Sequence, residues 1–220
     1  MRRSAMEKSD GSGCRWASRL PRGQVRTGGD AGIGPGVADD VGKAQHVRID
    51  GDGCDGGKIV LADPRWPEGA VALFTKAREQ GIPTVLDGDV ADADIFERLL
   101  PLTDHAIFSE PGLSGFAGPD IGSALEKAAS FGSRMVAVTR GSKGVAWRED
   151  GVVHDLPAPS VRAIDTTAAG DVFHGAYAFA IGAHFEIRDS MAFASAAAAF
   201  KCTRAGGRAA IPTLDELRSS

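Results

Sequence analysis

The stretch Asp165-Thr166-Thr167-Ala168-Ala169-Gly170-Asp171-Val172-Phe173-His174-Gly175 places small residues before an acid, and the acid before an apolar run at helical spacing. That order predicts a helix N-terminus suited to an anion, with a carboxylate beside it. The first amides of a helix have no partner inside it, and the helix dipole favours negative charge there. Ala168, Ala169 and Gly170 leave the backbone open to close approach. Asp171 stands where an incoming hydroxyl must lose its proton. Amides for the charge and an acid for the nucleophile are the parts of a phosphoryl-transfer site. The same residues read more plainly as a capped helix start, since Asp and Thr are common N-caps.

A second candidate group lies upstream. Thr139, Gly141 and Gly144 follow a predicted strand, where a hydroxyl and two glycines permit nucleotide phosphates to come close. The simpler reading is a glycine-containing turn into a hairpin. The five histidines show no ligand spacing with one another. His174, one turn into the predicted helix, either flanks a substrate or is an ordinary helix residue.

These groups need a scaffold. Residues 59–62, 84–86, 106–108 and 135–138 read as buried strands, alternating with helices over 67–80, 92–100 and 121–131. Residues 145–147 and 152–154 read as a hairpin around Asp150-Gly151. Two long helices follow, over 168–181 and 187–202. Strand–helix alternation predicts an α/β fold, a mostly parallel sheet with helices on both faces. Ligands then bind at the carboxyl ends of the strands, where Asp63, Asp87, Ser109 and Thr139 fall. Residues 1–57 are rich in Gly, Arg and Asp and hold neither period, so they are expected to be mostly irregular or disordered. Residues 58–220 form the expected domain.

Composition narrows the classes. A 220-residue chain that is 43% hydrophobic and 25% charged can bury a core. A net charge of -4 argues against general nucleic-acid affinity. No apolar run is long enough to span a membrane. Cys14, Cys54 and Cys202 support neither a disulfide framework nor a zinc site, and no apolar segment follows the N-terminal arginines. A cytoplasmic protein is expected. Three N-terminal signals fail on detail. Residues 36–44 approach a P-loop without its Ser/Thr, and the Gly-rich run 28–36 is broken by Pro35. Residues 50–56 begin like a calcium loop, but Leu61 stands where the bidentate Glu belongs.

The Asp165–Asp171 motif resembles the C-terminal signature of the ribokinase-like sugar kinases, the phosphofructokinase B-type family. Residues 138–145 are similar to that family's Thr-x-Gly-x-x-Gly nucleotide segment. Residues 196–207, with Ile211-Pro212, are similar to its closing helix and adenine-side loop. The resemblance covers about residues 58–218. It implies a ribokinase-like fold and an ATP-dependent kinase acting on a small-molecule sugar with magnesium. Asp171 would be the base, and Ala168, Ala169 and Gly170 the anion hole. Thr139, Gly141, Gly144 and Gly170 would face the nucleotide. Asp165 and the Thr167 carbonyl would lie at a monovalent-cation site, potassium being the candidate, or Asp165 would be a cap.

Two departures qualify this. Where the family often carries Asn-x-x-Glu for magnesium, this chain has Ser109-Glu110-Pro111-Gly112. The N-terminal strands, the β-sheet lid and the Gly-Gly motif find no match. We therefore expect a kinase chain shortened or frame-disturbed at its N-terminus, with residues 1–57 read from an unintended frame and activity impaired; the upstream DNA tests this. A nucleotide-binding remnant without catalysis and a kinase of nucleosides or vitamin-like alcohols stay open. The sugar and the oligomeric state are not readable.

Overall fold

The computed structural model describes Gln45–Arg48 and residues 58–219. The near P-loop, the Gly-rich run, the calcium-like loop, Cys14 and Cys54 lie outside the described residues.

Seven strands form one sheet in chain order: β1 (Gln45–Arg48), β2 (Lys58–Ala62), β3 (Thr84–Gly88), β4 (His105–Ser109), β5 (Met135–Thr139), β6 (Val145–Glu149) and β7 (Val152–Leu156). The expected parallel arrangement holds at the centre, β2 through β5, and both edges are antiparallel. The β6–β7 turn has Asp150 at φ 48° and Gly151 at φ 81°. Two consecutive positive φ values are what a two-residue hairpin turn needs.

Alternation along the strands sends neighbours to opposite faces. Ile59, Val85, Ile107, Met135 and Ala137 enter one core, against α5 (Ala169–Gly182) and α6 (Ile187–Cys202). Val60, Leu86, Phe108, Val136 and Val138 enter the other. That second face packs on α1 (Pro67–Glu79), α2 (Ala93–Leu99), α3 (Glu110–Ala117) and α4 (Ile121–Ala129). Phe96, fully buried, sits 5.1 Å from the Phe108 ring and 5.3 Å from Phe116. Burying each such ring contributes about 1.5–3 kcal/mol.

Three elements differ from the expectation. β1 lies within the stretch read as irregular and pairs antiparallel with β2, Val47 opposite Ile59. α3 was hidden by Pro111, Gly112 and Gly115. Pro111 sits in the first turn, where its missing N–H costs nothing, and the Ser109 hydroxyl caps the helix by accepting from the Gly112 amide at 3.1 Å. A short α7 (Leu214–Arg218) closes the chain on a Thr213/Glu216 capping box.

Candidate functional site

Because β2 to β5 run parallel, their carboxyl ends share one edge. Ser109 and Thr139 are register partners there, and Asp87 lies one position before the end of β3. α5 starts at this edge, and His174, one turn in, fixes it. The His174 Nε2 is 3.1 Å from the Ile107 carbonyl and 3.4 Å from Asp87 Oδ1, and its Nδ1 is 2.8 Å from the Gly170 carbonyl. A neutral imidazole has one N–H, so only the doubly protonated ring donates on both sides. His174 is 3% exposed, which makes it a clamp rather than a helix-surface residue. Burial raises the Asp87 carboxyl above its ordinary range; His174 pulls it back, while Asp171, Asp89 and Asp63 push it further up.

The first turn of α5 has the expected open form. Ala168 is its N-cap in the left-handed region, φ 61° and ψ 18°, with no side-chain cap. The Ala169 amide donates to the Thr166 carbonyl and the Val172 amide to Ala168. The amides of Gly170 and Asp171 have no acceptor among the described residues. Asp171 is exposed in this turn, and Gly170 has open space where a Cβ would stand. Free amides, a dipole end and an exposed carboxylate therefore converge over about one helical turn.

The loop before α5 is anchored from α6. The Cys202 carbonyl accepts from the amides of Ile164 at 2.7 Å and Asp165 at 3.2 Å. Asp165 Oδ1 accepts from the Thr167 amide and Oδ2 from the Gly206 amide, both at 2.9 Å. These bonds, the Thr167 amide first, hold the Asp165 carboxyl down at about 2. Lys201, fully buried, donates from Nζ to the Asp165 carbonyl at 2.9 Å, with Oδ1 at 3.7 Å.

On the other side, the Thr139 hydroxyl donates to the Phe108 carbonyl at 3.3 Å. Gly141 opens a 3₁₀ turn at φ 58° with free space around it. Gly144 has a different environment. A Cβ there would stand 2.0 Å from the Leu156 carbonyl oxygen, so the chain leaving β7 already demands glycine. Arg140 pairs with Asp155, and Lys143 Nζ lies 3.6 Å from Glu110, tying the turn to β7 and α3.

Among the described residues magnesium finds no protein cage. A side chain at Gly112 would meet the Gly88 carbonyl oxygen at 2.4 Å, so position 112 cannot hold a glutamate without moving the backbone. Ser109 is committed to its cap and to Asp89 at 3.4 Å, and Arg65 spans Asp63 and Asp89. Among the described residues no three His, Cys, Asp or Glu could hold a metal ion. The residues present do not fit a protein-held magnesium.

Sequence reasoning located Asp171, Gly170 and the rim acids. It did not assign roles to Lys201 or to the Asp87–His174 contact. A lysine at the end of the apolar run 192–200 was the available signal for the first.

Known proteins share this fold. A ribokinase from Haemophilus influenzae is 34% identical over 146 residues, 64% of this chain and 47% of that one. A protein of Agrobacterium tumefaciens assigned as a ribokinase superposes with TM-score 0.70 at 40% identity, covering 73% of this chain and 54% of that one. The Arabidopsis thaliana ribokinase complexed with ribose and ATP superposes with TM-score 0.66 at 27% identity, over 73% and 55% of the two chains. The chain thus spans about half the length of these relatives. The pattern of the pfkB family carbohydrate kinases matches residues 35–214. With that match covering most of its length, the chain belongs to the pfkB family of carbohydrate kinases.

Proposed function

We infer that this site transfers the γ-phosphoryl group of ATP to a sugar hydroxyl. The observation that carries the reading is the exposed Asp171 in the helical turn whose Gly170 and Asp171 amides lack an acceptor among the described residues. The Asp171 carboxylate takes the proton of the sugar hydroxyl as that oxygen attacks the γ-phosphorus. The bond from the γ-phosphorus to the β–γ bridging oxygen breaks, and ADP leaves. Amides fixed at a helix start stabilise the charge on the moving group without reorganising, and positioning with charge stabilisation is most of this chemistry. Thr139 and Gly141, at the neighbouring strand end, face the nucleotide. Magnesium, brought with the nucleotide, would supply charge neutralisation, and the described residues offer it no ligand set of their own. Ribokinases and a fructokinase among the relatives support a small sugar as acceptor.

The lack of a protein ligand set for magnesium among the described residues favours a second reading, nucleotide binding without transfer. ADP release from Mg-ATP, measured with ribose, fructose and other sugars beside Asp171→Asn, separates the two. Sugar-dependent release that falls by about 10²–10⁴ in the variant supports transfer. ATP binding with no sugar-dependent release, or release unchanged by Asp171→Asn, refutes it.

A further inference from the structure

Lys201 places a positive charge where the fold needs none for packing. It lies in the last turn of α6 with 0% of its side chain exposed. An ammonium is retained in such a place only when it is paired and hydrogen-bonded. Among the described residues its two partner atoms both belong to Asp165: the backbone carbonyl oxygen at 2.9 Å and Oδ1 at 3.7 Å.

Each carboxylate oxygen of Asp165 already holds a backbone amide. Oδ1 accepts from the Thr167 amide and Oδ2 from the Gly206 amide. A monovalent ion here would need the Asp165 oxygens to converge on it with the Thr167 carbonyl. Instead they point at two amides and an ammonium. These residues do not fit the potassium ion that the family resemblance implies.

We propose that Lys201 is the resident cation of this loop, an internal ammonium standing in for a dissolved monovalent ion. The neighbouring Cys202 carbonyl accepts from the Ile164 and Asp165 amides. One helical turn therefore grips the loop twice, as acceptor through Cys202 and as donor through Lys201. The loop runs directly into Ala168 and the free amides of Gly170 and Asp171. Lys201 is thus a positioning residue that acts through the backbone of Asp165. The inference rests on the kinase reading for its effect on turnover, but not for its effect on the loop.

The test compares wild type and Lys201→Met, a substitution of similar length, in potassium, sodium and choline chloride at equal ionic strength. Two readouts are taken: the thermal midpoint with and without Mg-ATP, and sugar-dependent ADP release. Wild type is expected to be indifferent to the cation in both. Lys201→Met is expected to lose its Mg-ATP-induced shift in choline. Any turnover falls there by about tenfold, the effect of one orphaned buried acceptor. Potassium restores part of both losses by entering the vacated position. A wild type whose midpoint or turnover rises specifically with potassium overturns the proposal, as does a variant indistinguishable from wild type in every salt. If wild type shows no turnover in any salt, the kinase reading has failed, and the thermal arm alone decides on Lys201. If Lys201→Met does not fold, the wild-type cation series decides it.

Discussion

His105, at the start of β4, should make the fold acid-sensitive well above the range where carboxylates titrate. Its ring is 5% exposed, and Nδ1 is 2.9 Å from the hydroxyl of Tyr177 in α5. Burial lowers the imidazole to about 4; Arg134 adds to this and Asp104 opposes it. Burial also raises the Tyr177 phenol, so the hydroxyl keeps its proton and pairs with a neutral imidazole. The unfolded chain binds the proton at the ordinary 6.5, the folded chain only near 4. Between those values the unfolded state holds more protons, so stability is complete above 6.5 and falls as the pH drops toward 4. At pH 4 the loss is about 3 kcal/mol, since each unit is worth about 1.4 kcal/mol and half of the last one is unspent. For a domain of this size that is about 6–12 °C in Tm. Other groups act elsewhere or cancel. The depressed Asp165 and Glu216 carboxyls lose their contribution only as pH falls through their unfolded values toward about 2. The raised Asp87 carboxyl has the opposite sign, stability decreasing as pH rises through its folded value. Urea unfolding of wild type and His105→Gln from about pH 7 to pH 4 isolates the histidine, because the shared groups drop out of the difference. The stability gap between the two should move by about 3 kcal/mol in favour of the variant on acidification. A gap that moves by less than about 1 kcal/mol would refute a neutral, buried His105.

Gly144→Ala sets a Cβ against the Leu156 carbonyl at φ 89° and should cost about 3 kcal/mol or more, read by thermal unfolding; a near-neutral variant would mean the β7 exit is free to shift. Ala168→Gly removes a left-handed alanine, a relief of about 1–2 kcal/mol set against about 0.4–1 kcal/mol of unfolded-chain entropy. We expect slightly raised stability with ADP release retained, and a loss beyond about 1 kcal/mol would show that Ala168 is not strained. His174→Phe removes the imidazole that lies between the Gly170 and Ile107 carbonyls and should lower both stability, by about 2 kcal/mol, and sugar-dependent ADP release; unchanged unfolding in urea would remove the clamp role.

What was legible in the sequence follows the range of the forces involved. Strands that are continuous apolar runs buried on both faces, such as Met135–Thr139, and helices with a clean stripe, such as Pro67–Glu79, announced themselves because burial marks the local sequence. Their ends did not. His105 and Ser109 are polar, yet sheet pairing carries β4 out to both, opposite Met135 and Thr139. α3 was masked by Pro111 and two glycines, because propensity speaks against a helix that the Ser109 cap and the burial of Leu113 and Phe116 sustain. The candidate site divides the same way. Asp171, Gly170 and Ala168 lie within one turn, so their spacing alone suggests an anion site. The groups that hold this turn in place come from far along the chain: Lys201 reaches Asp165 across 36 residues, and His174 reaches Ile107 across 67. Each looked ordinary in sequence, one as a lysine ending an apolar helix, the other as a histidine inside one. Burial gives them their role, because a buried polar group must find a partner, and here Lys201 finds the Asp165 carbonyl in the loop before α5 and His174 the Ile107 carbonyl in β4. The proposed reacting groups were therefore readable from a short motif, while the rigidity that would make them reactive is a property of packed elements. Substitutions at Lys201 and His174 should accordingly alter the site although Ala168, Gly170 and Asp171 stay unchanged.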